Sequence, residues 1–192
     1  VRAFVNSLQS HAQALGLCRL ARTCLVVTAF TFDLPELCSA LKEAAGVCEY
    51  VALFADQKHT RGGVTLTQHE RLAELQQAGV RVYMSEGRLN TGNLHAKVVY
   101  ADQLVLIGSC NWTRASKSNY EVGCLLELSP AGVGTMREFF CRLAKGSKLF
   151  DSLDLSAAQM SRAERVRAET VAARRARSVG ATASRFSIAN QR

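Results

Sequence analysis

His95 and Lys97 stand two residues apart in the otherwise apolar stretch NLHAKVVYADQLVLIGSCNWT, residues 93–113. On an extended chain, side chains at i and i+2 leave from one face, so these two point together while Ala96, Val98 and Tyr100 point the other way. Asp102 follows at the strand end, then Gly108, Ser109 and Asn111, and Glu121 opens the next apolar run. Cleaving a phosphodiester requires a nucleophile, groups that neutralise the non-bridging oxygens, and an acid for the departing oxygen. A neutral imidazole can attack phosphorus, an ammonium can hold phosphate, and hydroxyl and amide groups can donate the remaining hydrogen bonds. A carboxylate such as Glu121 against the far nitrogen of His95 would fix its tautomer and raise its nucleophilicity. The set calls for no metal ion and no cofactor.

Such residues need a rigid frame. Apolar runs rich in β-branched residues at 24–30, 50–56, 80–85, 95–102, 104–109 and 121–128 read as strands. Between them, LPELCSALKEAAG and TLTQHERLAELQQAG carry helical patterns that close on glycine, the first with Asp33 as its N-cap. A first helix over about 2–20 and another near 131–145 would cover the remaining faces. The alternation predicts an α/β fold with a mixed, largely parallel sheet flanked by helices.

Of 192 residues, 48% are hydrophobic, enough for a sizeable core, and a soluble globular chain is expected. Apolar runs such as CLVV and LVLI fall far short of the roughly 18 residues that cross a bilayer. The charge is uneven: residues 1–154 hold 16 Lys and Arg against 14 Asp and Glu, whereas 155–192 hold 8 against 2. A catalytic domain over 1–154 and a basic, Ala- and Arg-rich extension over 155–192, partly helical or disordered, follow from that division. Arginine clusters suit nucleic acid and anionic membrane surfaces alike, so the extension offers peripheral contact with either. Seven scattered cysteines without a CxxC pair fit a reducing intracellular compartment. Cys38, Cys48, His59 and His69 could be drawn together as a zinc set, but their spacing matches no compact ligand pattern.

His95-x-Lys97-x4-Asp102, followed by Gly108-Ser109-x-Asn111, resembles the HKD motif of the phospholipase D superfamily, with the similarity extending over about residues 20–128. The resemblance implies that His95 is a nucleophile forming a phosphohistidine, that Lys97, Ser109 and Asn111 bind phosphate, and that Glu121 orients the histidine. Asp102 is the third letter of the motif, but its strand parity differs from that of His95, which favours a supporting role. Cys110 reads as a small buried hydrophobe. His11, His59 and His69 are followed two residues later by Gln13, Arg61 and Arg71, so the motif occurs once. Single-motif members resemble the bacterial endonuclease and mitochondrial cardiolipin hydrolase branches. That implies a homodimer in which one His95 attacks and the other protonates the leaving group. An anchor upstream of Val1 would then be compatible with a mitochondrial surface.

HTRGGVTLT, residues 59–67, lacks P-loop spacing and reads as an exposed turn, although in a dimeric enzyme of this type it could line the substrate groove. Trp112 and Tyr120 each read as packed aromatics or as base-stacking platforms. Three functions therefore stand: a nuclease for single-stranded nucleic acid, a lipid hydrolase with cardiolipin as the natural substrate, and a catalytically silent module that binds phosphate or nucleic acid.

Overall fold

The computed structural model describes residues 1–4, 6–61, 66–87 and 92–150, without the side chains of 4, 60–61 and 66–69. The elements run β1 (Arg2–Phe4), α1 (Ser7–Leu20), β2 (Cys24–Ala29), α2 (Pro35–Ala45), β3 (Tyr50–Asp56), α3 (Gln57–Arg61), α4 (Leu66–Gln77) and β4 (Arg81–Ser85). They continue through β5 (Val98–Ala101), β6 (Leu104–Gly108), a 3-10 turn (Ala115–Ser118), β7 (Gly123–Glu127), α5 (Pro130–Lys145) and β8 (Ser147–Leu149). The basic extension expected over 155–192 lies outside the described residues.

All eight strands among the described residues join one sheet in the order β1-β7-β6-β5-β2-β3-β4-β8. The sheet is mixed, with its parallel part confined to β2, β3 and β4. Helices α2 and α4 supply the crossovers that parallel neighbours need. By contrast, β5 and β6 are joined through the two-residue turn Asp102-Gln103 and must run antiparallel, as do β6 with β7 and β5 with β2. Only those three strands are therefore parallel, fewer than the alternating pattern predicted.

Helical cover on both faces explains why the strands read as continuous apolar runs rather than as alternations. One core collects Leu25, Val27, Leu53, Val99 and Leu106 under residues of α1, α2 and α4 such as Leu17, Leu37, Leu41 and Leu72. The opposite face packs Val26, Phe54, Tyr100 and Val105 against Phe140 of α5. Among the described residues, no helix is long and apolar enough to cross a membrane.

Two departures concern edges. Residues 2–4 form an edge strand on β7 rather than the start of a helix, and β8 adds an edge strand to β4. Three-residue strands carry too little periodicity to be read locally, because it is the partner that specifies them. A third departure is Asp33, which does not cap α2. Leu34 occupies the N-cap without a side-chain bond and Pro35 begins the helix. The Asp33 carboxylate instead accepts from Arg114 N–H at 2.8 Å, while Asp33 and Leu34 N–H both donate to the Trp112 carbonyl at 3.0 Å.

Candidate active site

The strand directions bring the chemistry to one edge of the sheet. The C-terminal ends of β2, β3 and β6 lie there, with the N-terminal ends of β5 and β7 between and beside them. The segment carrying His95 and Lys97 is extended but precedes β5, which begins only at Val98. Thr28 explains the late start. Its hydroxyl accepts from Val98 N–H at 3.0 Å and donates to the Ala96 carbonyl at 3.0 Å, replacing the next ladder bonds with a side chain.

His95 is exposed, whereas Lys97 is 5% exposed. The His95 ring stands edge-on to Phe30 at 4.6 Å between centroids, and Lys97 Nζ lies 5.2 Å from the same ring. Lys97 Nζ also donates to the His95 carbonyl at 2.6 Å. Burial pushes the Lys97 ammonium below the ordinary lysine range, and the negative charge of Glu121 opposes that push.

Ser109 is exposed at the end of β6, where its hydroxyl donates to the Glu121 carboxylate and accepts from Val122 N–H at 3.2 Å. Gly108 permits the close approach: a Cβ there would meet the Val122 carbonyl oxygen at 2.7 Å. Asn119 Nδ2 donates to the other Glu121 oxygen at 3.2 Å. Glu121 is thus bonded to Ser109 and Asn119, not to the far nitrogen of His95 as expected. The reason is positional: Glu121 follows Ser109 across the β6–β7 pairing, whereas His95 turns toward Phe30.

Asn111 is half-buried, and its Oδ1 has no hydrogen-bond partner among the described residues. Its backbone is fixed from below. His11 of α1 places Nε2 3.1 Å from the Asn111 carbonyl, a contact that requires a proton on that nitrogen, and Ser116 Oγ donates to the same oxygen at 2.6 Å. Cys110 is 1% exposed beside His11, and burial pushes its thiol up, as suits a small packed side chain. Trp112 is likewise 1% exposed, donating to the Thr28 carbonyl at 2.9 Å, so it is a packed aromatic. Tyr120 is fully exposed.

Asp102 lies elsewhere. It sits in the turn at the opposite end of β5, with φ 56°, and its carboxylate accepts from the N–H groups of Arg22, Thr23 and Cys24 at 2.8–3.0 Å and from the Thr23 hydroxyl at 2.6 Å. Burial raises its acidity constant's exponent, but the Thr23 hydroxyl and the three N–H groups outweigh that and hold the carboxyl below its ordinary value. It anchors the start of β2 and makes no contact with His95. That position, at the far end of β5, is the supporting one that its strand parity favours.

Sequence reasoning missed Phe30 and Asp56 near His95, and read His59 only as a zinc candidate or as part of an exposed turn that could line the groove. Asp56 ends β3, and its carboxylate accepts from His59 Nδ1 at 2.8 Å and from Leu94 N–H at 2.7 Å. Phe30 packs on both histidines, with the His59 ring 3.9 Å away. A carboxylate closing the apolar run YVALFAD was the available signal. The remaining contacts arise only when β2 and β3 are placed beside β5. As for the zinc set, Cys38 meets Glu74, Cys48 meets the Tyr50 carbonyl, and His59 meets Asp56, while the side chain of His69 lies outside the described residues. No group of three potential metal ligands gathers among the described residues.

Residues 17–143 match the family described as the cardiolipin synthase, phospholipase D-like domain. No curated protein sequence matches the chain. Among solved structures, the phospholipase D family member Nuc from Salmonella typhimurium is similar with a TM-score of 0.66 and 20% identity, over 78% of this chain and 97% of that one. NucT from Helicobacter pylori gives 0.65 and 18%, over 78% and 98%. Phosphatidylserine synthase from Haemophilus influenzae gives 0.59 and 12%, over 88% of this chain and 46% of that one. The chain belongs to the phospholipase D superfamily, a family built around phosphodiester chemistry.

Proposed function

We propose that this chain is a phosphodiesterase that needs no metal ion and works through a covalent phosphohistidine at His95. The observation carrying this reading is the exposed His95 followed by the buried Lys97 at the sheet edge that also carries Ser109, Asn111 and Glu121. In the first step a His95 ring nitrogen attacks phosphorus. The N–P bond forms, the P–O bond to the departing oxygen breaks, and a second imidazole gives that oxygen its proton. Water then attacks phosphorus, the P–N bond breaks, and the proton from water returns to the second imidazole. Lys97, Ser109 and Asn111 hold the non-bridging oxygens. Glu121 positions Ser109 and favours the charged form of Lys97.

The second imidazole is His95 of the partner subunit in a two-fold homodimer. Supporting that assembly, Tyr120 and Val122 flank Glu121 and are exposed, as is Ile107 two residues before Ser109. A self-complementary contact at this surface would cover them and bring two copies of the site together.

The substrate is a single strand of nucleic acid or an anionic phospholipid such as cardiolipin. The experiment is cleavage by purified protein, in EDTA, of labelled single-stranded RNA and DNA beside cardiolipin liposomes, with His95→Ala as the blank. Products absent from the blank on either substrate support the reading and name the class. A requirement for added divalent metal overturns the mechanism. Inactivity of the folded dimer on both substrates returns the binding-module reading to the front.

A further inference from the structure

Asp56 is fully buried at the end of an apolar strand, and a buried carboxylate must be matched by donors. One of its oxygens takes both His59 N–H at 3.0 Å and His59 Nδ1 at 2.8 Å, and the other takes Leu94 N–H at 2.7 Å. A single carboxylate therefore ties α3 to the residue just before His95. It also fixes the His59 tautomer: the proton on Nδ1 points at Asp56, and Nε2 faces away. The His59 side chain keeps 33% of its surface exposed.

Phe30 links the two histidines. Its ring lies 3.9 Å from the His59 ring and 4.6 Å from the His95 ring, with Lys97 Nζ 5.2 Å from its centroid. The imidazoles pack on one phenyl ring without a hydrogen bond between them. With Lys97, Ser109 and Asn111 assigned to the oxygens of the phosphate at His95, His59 is left for a neighbouring group of the substrate. The form of His59 that binds a phosphate oxygen carries a proton on Nε2, with Nδ1–H still held by the Asp56 carboxylate, and such a charge-assisted donor is the kind a phosphate oxygen takes best.

The surroundings bear on the class of substrate. Near His59, Gln57 bonds Glu86 at 2.9 Å, Lys58 reaches the Gly92 carbonyl at 3.0 Å, and Lys148 meets Glu86 at 3.3 Å. The groups gathered around the start of α3 are thus polar, which suits a backbone of phosphates and sugars better than acyl chains.

We infer that His59, positioned by Asp56, is a substrate-binding residue for the phosphate adjacent to the scissile one, and that the substrate is a nucleic-acid strand with consecutive phosphodiesters. The inference rests on the phosphodiesterase reading above and deepens it. Part of the stretch HTRGGVTLT thereby acquires a role through its first residue.

The test compares kcat/KM, in EDTA, for a dinucleoside monophosphate and a trinucleoside diphosphate of the same base, using the wild type, His59→Ala and His59→Gln. Phosphatidylglycerol and cardiolipin liposomes form a parallel arm. One charge-assisted hydrogen bond predicts that the wild type prefers the trinucleotide by about ten-fold, chiefly through KM. The preference should fall close to parity in His59→Ala and be partly retained in His59→Gln, whose amide N–H reaches a similar position. Equal use of both nucleotides by the wild type overturns the inference. So does a preference that survives His59→Ala, or an equal loss on both nucleotides, which would mark a purely structural role. Cleavage of lipid alone overturns the nucleic-acid assignment. Wild-type inactivity on all four substrates would instead defeat the phosphodiesterase reading, and this inference with it.

Discussion

Lys97 Nζ donates to the carbonyl oxygen of His95 at 2.6 Å, so the cation of the motif is already held over the backbone of its histidine. The ammonium is also buried, which lowers its affinity for a proton, while the charge of Glu121 raises it.

This balance predicts the alkaline limb of the pH–rate profile. Phosphate binding needs charged Lys97, so activity should be lost, as pH rises, through a midpoint below the ordinary lysine value of 10.5. In Glu121→Gln the opposing charge is gone, and the limb should move to still lower pH. A limb that stays in place, measured as kcat/KM against pH, would show that Glu121 does not act on Lys97.

Thr28 predicts a cost in order rather than in chemistry. It is fully buried, and Thr28→Val keeps its shape while stranding Val98 N–H and the Ala96 carbonyl. About 1–3 kcal/mol of stability should be lost, as expected when buried polar groups lose a partner. Denaturant unfolding measures that loss. Activity per folded molecule should also fall, since the bridge fixes the segment between His95 and β5.

Asp102 should behave in the opposite way. Asp102→Ala removes the acceptor for three N–H groups and one hydroxyl and should cost about 1–3 kcal/mol. Turnover per folded molecule should remain, since the residue lies at the far end of β5 from His95. The sign of the pH effect follows from its depressed carboxyl. The stabilisation is present above the unfolded value near 3.8 and is lost as pH falls through the lower folded value. Thermal melts across acid pH should show the wild type losing this advantage over Asp102→Ala.

The exposed surface around Glu121 makes a prediction about assembly. Tyr120 is fully exposed and Val122 is 64% exposed. Placing charge there, as in Val122→Glu, should convert a dimer to monomers in sedimentation or light-scattering measurements. Turnover should fall with the dimer if the second imidazole comes from the partner. A wild type that is monomeric and fully active would exclude the shared site.

What the sequence disclosed depended on how local the information was. Lys97, Ser109 and Glu121 could be associated with His95 because a hairpin and one further strand carry them all, and hairpin pairing brings such residues to one sheet edge. Asp102 belongs to the same motif, but β5 carries it to the other edge, and only its strand parity hinted at that. Phe30 and Asp56 were not legible as site residues, and His59 only as part of a turn that could line a groove, because β2 and β3 bring them in across the sheet. The edge strands β1 and β8 were hidden for a related reason, since three residues show no period of their own. The parallel share of the sheet was overestimated because alternating elements suggest crossovers, whereas β5, β6 and β7 follow one another antiparallel.

The most direct test of the central claim is to trap the covalent intermediate. The protein is mixed with a phosphodiester carrying a labelled phosphate, in EDTA, quenched in alkali, and its peptides are analysed by mass spectrometry. The account predicts a phosphoryl adduct on the peptide containing His95, stable to alkali, labile to acid and absent from His95→Ala. Turnover of the same substrate with no adduct at His95, or with the adduct on another residue, would contradict it.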